Sequence, residues 1–153
     1  MPDQPPASDL GRFFAFFNEV AILHQLSTAM FEARLPPGFT VSQFAVLNHL
    51  VRVKDGRTPL DLARAFQVPK TTMTHSLAVL ERHGLVRTAP NPGDGRSKCV
   101  WITEAGRRFR DTAVASLGPD IAEIAAKYPS ARLVEAMPVL TDLRREMDAW
   151  RDH

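Results

Sequence analysis

The sequence predicts a mainly α-helical chain with one small β-hairpin, and three observations carry that expectation. Apolar residues recur at helical spacing through residues 9–34 and again between positions 133 and 150. Helix-start signals, a hydroxyl residue with a polar side chain three positions later, stand at Thr40 and Thr58. Between two extended runs, the segment PNPGDGR packs two prolines and two glycines into seven residues, which all but forces a hairpin.

Residues 9–34 carry Phe13, Phe16, Phe17, Val20, Leu23, Leu26, Met30 and Phe31, widened by Phe14 and Ile22. A helix that apolar needs cover on more than one side. Pro36-Pro37-Gly38 ends it, and Thr40 with Gln43 forms a capping box that opens a helix to about Val53. Thr58 then caps a short helix over residues 59–66, with Pro59 at its first position and Asp61 at the positive end of its dipole. Gln67-Val68-Pro69 stops that helix, because the residue before a proline is pushed out of the α region. A second helix over residues 70–83 buries Met73, Leu77 and Leu80 and ends at Gly84. Strands follow from Leu85 and over residues 97–102, where Val100 and Ile102 share one face while Cys99 and Trp101 alternate to the outside.

After the hairpin, Thr103 and Glu104 cap a long helix to residue 127, bent at Gly118-Pro119. Ala136, Leu140, Leu143, Met147 and Trp150 step by four and three in a heptad pattern that Leu133 extends. Pro138 either kinks this last helix or marks its first turns. The total is five or six helices and one hairpin.

Two short helices, a tight turn and a basic hairpin make a winged helix-turn-helix. Such a unit offers one helix to the major groove of DNA and the hairpin tip to neighbouring backbone or minor groove. The outer side of the second helix carries Lys70, Thr71, Thr74, His75 and Ala78, small polar and basic groups suited to base edges and phosphates. The candidate contacts are Lys70, Thr71, Thr72, Thr74, His75, Ser76, Arg96 and Lys98, with Asp94 as the acceptor that holds the wing arginine in place.

Charge distribution agrees. The formal net charge is only +2, yet residues 52–110 hold twelve Lys and Arg against five Asp and Glu, leaving an excess of five acidic groups elsewhere. Basic charge is therefore concentrated on the proposed reading module. A chain of 153 residues, 44% hydrophobic, can build one core. The opening MPDQPPASDL lacks the pattern of a secretory signal, no apolar run is long enough to span a membrane, and the single cysteine excludes an internal disulfide framework, so a cytoplasmic protein is expected.

The ordered stretch LARAFQVPKTTMTHSLAVLERHGLV, followed by DGR and then ITEAG, resembles the multiple antibiotic resistance regulator (MarR) family of bacterial transcription factors. The family's wing often reads Asp, basic, Arg, whereas Gly95 occupies the middle position here and leaves Arg96 as the principal wing contact. His75 stands where relatives often carry arginine. The resemblance implies a single domain over residues 1–153, a reading module over 40–102, and dimerisation helices at 9–35 and 103–153 that interlock with a second copy. It also implies a repressor acting as a homodimer on a pseudopalindromic operator in double-stranded DNA, with the two reading helices about 34 Å apart. Family members commonly respond to small aromatic or phenolic effectors in a cleft between the dimer region and the reading module. By position that cleft would be lined by Phe13, Phe17, His24, Phe44 and His49. The alternative places the three phenylalanines in the core and leaves both histidines as ordinary core or surface residues.

No glycine-rich phosphate loop, HExxH or paired-cysteine motif appears, so no enzyme, cofactor or metal is expected. Cys99 has no second cysteine or histidine nearby in sequence to activate it, and Trp101 reads as cover for the hairpin. The rival function is a winged helix that binds protein without binding DNA. That version would expose apolar residues where this chain places Lys, Thr, His and Arg.

Overall fold

The computed structural model describes residues 7–151. The first six residues, the proline-rich part of the opening segment, lie outside that range, as do the last two. Among the described residues the elements run α1 (Ala7–Glu32), α2 (Val41–Arg52), α3 (Pro59–Ala65), α4 (Lys70–Arg82), β1 (Val86–Asn91), β2 (Asp94–Ile102), α5 (Glu104–Ser116), α6 (Gly118–Lys127) and α7 (Ser130–Arg151). They fall into two compact units that divide between Ser116 and Leu117.

In the first unit, local signals start and stop the helices as their chemistry dictates. The Gln43 N–H donates to Thr40 Oγ1 at 3.3 Å while Gln43 Oε1 accepts the Thr40 N–H at 3.2 Å, completing the capping box of α2. Thr58 Oγ1 accepts the Asp61 N–H at 3.1 Å ahead of α3, and Thr103 Oγ1 accepts the Gly106 N–H at 3.0 Å ahead of α5. Each such cap contributes about 1 kcal/mol.

The ends of α3 and α4 share one motif. The N–H of Gly84 reaches Glu81 O and that of Leu85 reaches Leu80 O, both at 2.9 Å, with Gly84 at φ +70°. The N–H of Gln67 reaches Arg64 O at 3.1 Å and that of Val68 reaches Ala63 O at 3.0 Å, with Gln67 at φ +53°. Both are Schellman ends. A left-handed Gln67 therefore stops α3, one step before the residue that Pro69 constrains.

One core lies beneath the reading module. Val46, Leu47 and Leu50 of α2, Leu62 and Ala63 of α3, Met73, Leu77 and Leu80 of α4, and Leu85, Val86, Val100 and Ile102 around the hairpin are all buried together. The apolar periodicity of α4 thus faces inward as expected, joined by Val79. A smaller cluster of Leu35, Phe44 and Ala113 packs with Phe31, Phe39 and Val41.

β1 and β2 pair antiparallel, from Val86 opposite Ile102 to Asn91 opposite Asp94 with a register shift after Pro90. The connection is therefore only Pro92-Gly93, far tighter than a loop spanning all of PNPGDGR. On its other edge β2 meets Arg57, whose carbonyl accepts the Val100 N–H at 2.8 Å. Cys99 is buried, contrary to the expectation from alternation. The bulky Trp101 shares the face of the small Cys99 two residues on, so that face is covered at Cys99 and not open to solvent. Trp101 itself covers the turn before Arg57. A Cβ at Gly56, whose φ is +67°, would sit 2.5 Å from the indole.

The second unit holds α6 and α7. The run expected as one bent helix is two, because Pro119 has no N–H to continue the α5 ladder. Pro138 stands well inside α7 instead of in its first turn. Neither α6 nor α7 has a buried residue.

Candidate nucleic-acid interface

The outer flank of α4 is open along its length. Lys70, Thr71, Thr74, His75 and Ala78 are all exposed, opposite the buried Met73, Leu77 and Leu80. Pro69 at the N-cap contributes no side-chain bond, so the first-turn N–H groups of α4 remain available to an anion. Thr74 Oγ1 donates to the Lys70 carbonyl at 2.8 Å. That commits its proton and leaves its lone pairs free for base-edge donors such as an adenine or cytosine amine.

Thr72 and Ser76 stand apart from this flank. A helical step of 100° carries both toward α1 and α2, where they line a cavity with His24, Thr28, Glu32 and Ala45. Of the six candidate contacts on α4, all but the half-buried Ser76 are exposed, while Thr72 and Ser76 also line that cavity.

In the wing, Arg96 and Lys98 are exposed on β2 just beyond the turn. Four side-chain bonds stiffen the tip. Asn91 Oδ1 accepts the Gly93 N–H at 3.0 Å, and Asn91 Nδ2 donates to Ser97 Oγ at 2.9 Å. Ser97 Oγ donates to the Asp94 carbonyl at 3.3 Å, and Asp94 Oδ1 accepts the backbone N–H of Arg96 at 3.0 Å. Asp94 thus holds the arginine through its main chain and not through its guanidinium, because a side chain two residues ahead in a turn reaches the backbone first. Asn91 and Ser97 were not singled out from sequence. An Asn directly before Pro-Gly was the available signal.

Two carboxylates set the wing on its support. Asp55 Oδ1 accepts the N–H groups of Gly56 and Ile102, both at 3.0 Å, and Asp55 Oδ2 lies 3.4 Å from Arg107 of α5. Glu81 Oε1, on the last turn of α4, accepts both the N–H of Thr88 at 3.2 Å and its hydroxyl at 2.9 Å. Neither residue belongs to a local sequence motif, since the partners that fix the wing, Ile102 and Arg107 for Asp55 and Thr88 for Glu81, lie on other elements. On the outer face of the sheet, the Arg87 guanidinium stacks on Trp101 at 5.8 Å.

The five residues expected to line an effector cleft do not converge. Phe13 and Phe17 are exposed on α1, where their rings lie 6.3 Å apart. Phe44 is in the smaller core cluster, its ring edge-on to Phe31 at 4.4 Å. His49 packs on Phe66 at 5.4 Å, and its pKa is lowered by burial first and by the nearby Arg57 charge second. Only His24 faces the cavity behind α4. The spread has a simple cause: residues grouped by helix membership lie on different faces of α1 and α2.

Among the described residues, no group of three or more His, Cys, Asp or Glu could hold a metal ion, and no helix is long and apolar enough to cross a membrane.

An exposed polar helix, a Schellman turn before it and a stiff basic hairpin beside it define a winged helix-turn-helix. Residues 38–97 match the model of the MarR family. The transcriptional activatory protein BadR of Rhodopseudomonas palustris is 36% identical over 97 residues, covering 62% of this chain and 54% of BadR. The transcriptional regulator HosA of Escherichia coli O111:H- is 33% identical over 98 residues, covering 64% of this chain and 71% of HosA. The match thus spans about half the length of BadR. In fold the chain is similar to wild-type apo MarR from E. coli, with a TM-score of 0.69, 22% identity, and coverage of 92% of this chain and 98% of that one. A putative transcriptional regulator of Pseudomonas aeruginosa PA01 gives a TM-score of 0.74 at 23% identity, covering 92% and 98%. The chain belongs to the MarR family, a family of transcriptional regulators and not of enzymes.

Proposed function

We propose that this protein is a sequence-specific DNA-binding repressor that acts as a homodimer on a pseudopalindromic duplex. The observation that carries the reading is the pairing of an exposed Lys70, Thr71, Thr74, His75 flank with the exposed Arg96 and Lys98 of the wing. The side chains on α4 suit base edges and phosphates, and the two wing cations suit the adjacent backbone or minor groove. A protein-docking winged helix would present apolar side chains there. Among the described residues, no large hydrophobic side chain from Lys70 to Lys98 is exposed.

The homodimer is supported by apolar surface that a monomer would leave wet. Phe13, Phe14, Leu23 and Leu26 of α1 are exposed, as are Leu133, Leu140, Met147 and Trp150 of α7. Surface of that extent marks an association site, and a two-fold pairing would place two reading helices on two half-sites about 34 Å apart. Residues 9–35 and 103–153 are the dimerisation helices in this reading, and the setting is cytoplasmic.

Release by a small aromatic or phenolic effector fits the cavity of about 290 Å³ behind α4, which suits a single-ring compound. It lies between α1, α2 and the inner flank of α4, so an occupant that favours one placement of α4 shifts the population competent to bind. Selection of bound duplexes from a random pool tests the reading, followed by release assays with aromatic acids and phenols. A two-fold symmetric consensus is expected. A pool that stays random after selection would overturn it.

A further inference from the structure

Besides the shared apolar core, Glu81 ties the reading helix to the wing through hydrogen bonds. Thr88 stands opposite Val100, whose N–H turns outward to Arg57 O, so this pair exchanges no ladder bonds and the N–H of Thr88 points away from β2 and needs another acceptor. Glu81 supplies it from the last turn of α4, and the same oxygen takes the Thr88 hydroxyl. The other ties of the hairpin lie nearer its base or along β2. Leu85 N–H bonds Leu80 O, Ile102 N–H bonds Asp55, and Val100 N–H bonds Arg57 O. Beyond Thr88 the hairpin continues to its tip at Pro92-Gly93, stiffened by bonds within itself.

We propose that Glu81 is a positioning residue for DNA binding, locking β1 to α4 so that Arg96 and Lys98 meet the duplex at a fixed offset from the Lys70–Thr74–His75 face. This rests on the DNA-binding reading above. The lever is long enough to matter. Arg96 lies four residues along β2 from Val100, the partner of Thr88, or about 13 Å at strand rise. A 10° tilt of the released hairpin moves Arg96 by about 2 Å, enough to break a hydrogen bond to a fixed phosphate.

The test is a double-mutant cycle on a duplex selected by the wild-type protein. Glu81→Ala removes both bonds. Thr88→Val removes only the hydroxyl bond and leaves the Glu81 charge in place, which separates geometry from electrostatics. Glu81→Gln keeps an acceptor oxygen and should rescue part of the loss. We expect Glu81→Ala to weaken binding about tenfold and Thr88→Val about threefold. Both should leave the selected base consensus intact, and both effects should vanish in an Arg96→Ala/Lys98→Ala background, since a released wing that makes no contact has nothing to lose. Effects that persist undiminished in that background would mean Glu81 acts on folding or on the helix alone, and would overturn the proposal, as would unchanged affinity in both single variants. A wild-type protein that binds no duplex would instead sink the DNA-binding reading.

Discussion

Replacing Arg96 with alanine isolates the wing's contribution. The substitution deletes an exposed guanidinium but spares the tip, because Asp94 holds residue 96 through its backbone N–H, which alanine retains. Folding stability should change by less than about 0.5 kcal/mol. Binding should change much more. A charge-assisted hydrogen bond contributes about 1.5 kcal/mol, so two wings on a symmetric dimer lose about 3 kcal/mol, more than a hundredfold in Kd. The salt dependence gives a second, independent magnitude. Each phosphate contact contributes about 0.9 to the slope of log K against log salt, so losing two flattens the slope by about 1.8. Between 50 and 200 mM salt, the wild type should therefore lose about 12-fold more affinity than the variant does. Fluorescence anisotropy on a selected duplex across that salt range, with thermal melts in parallel, reads both effects. An Arg96→Ala protein with the wild-type slope and Kd would show that the wing does not touch the duplex.

Lys70→Ala should lower affinity across all sequences, whereas Thr74→Ala or His75→Ala should relax the base consensus with little effect on salt slope, read by repeating the selection. Gln67→Gly should stabilise the protein by about 1 kcal/mol, raising Tm by about 3 °C, because Gln67 bears the cost of its left-handed φ of +53°; an unchanged or lower Tm would contradict it. The lowered pKa of His49 makes the folded state disfavour its proton. Stability should therefore fall as pH drops below about 6.5 toward the folded value, and His49→Gln should flatten that part of the Tm-against-pH curve. Charged residues in place of Leu140 and Leu143 should yield monomers by sedimentation, and a variant that remains dimeric would place those leucines outside the interface.

Features set by a few neighbouring residues were legible from sequence. Thr40 with Gln43, Thr58 with Asp61, and Gly84 at the end of α4 each depend on bonds within a turn, and each formed as its chemistry requires. The buried stripe of Met73, Leu77 and Leu80 followed from helical spacing alone. What failed depended on neighbours distant in sequence. Alternation placed Cys99 outside, but that face of β2, shared with Trp101, is covered at Cys99. The exposed Thr72 and half-buried Ser76 also line a cavity, which only the positions of α1 and α2 reveal. Asp55 and Glu81 reach partners on other elements, at Ile102 and Thr88, so no local motif announced them. Asp94 was identified as the acceptor for residue 96, while the donor proved to be the main chain.

The most direct test of the account is the stoichiometry and footprint of the wild-type protein on its selected duplex. Sedimentation should give two chains per duplex, and hydroxyl-radical footprinting should show two protected patches related by two-fold symmetry, centred about one helical turn apart. One chain per duplex, or no protection at low ionic strength, would contradict the central claim that the α4 flank and the Arg96 wing read DNA as a symmetric pair.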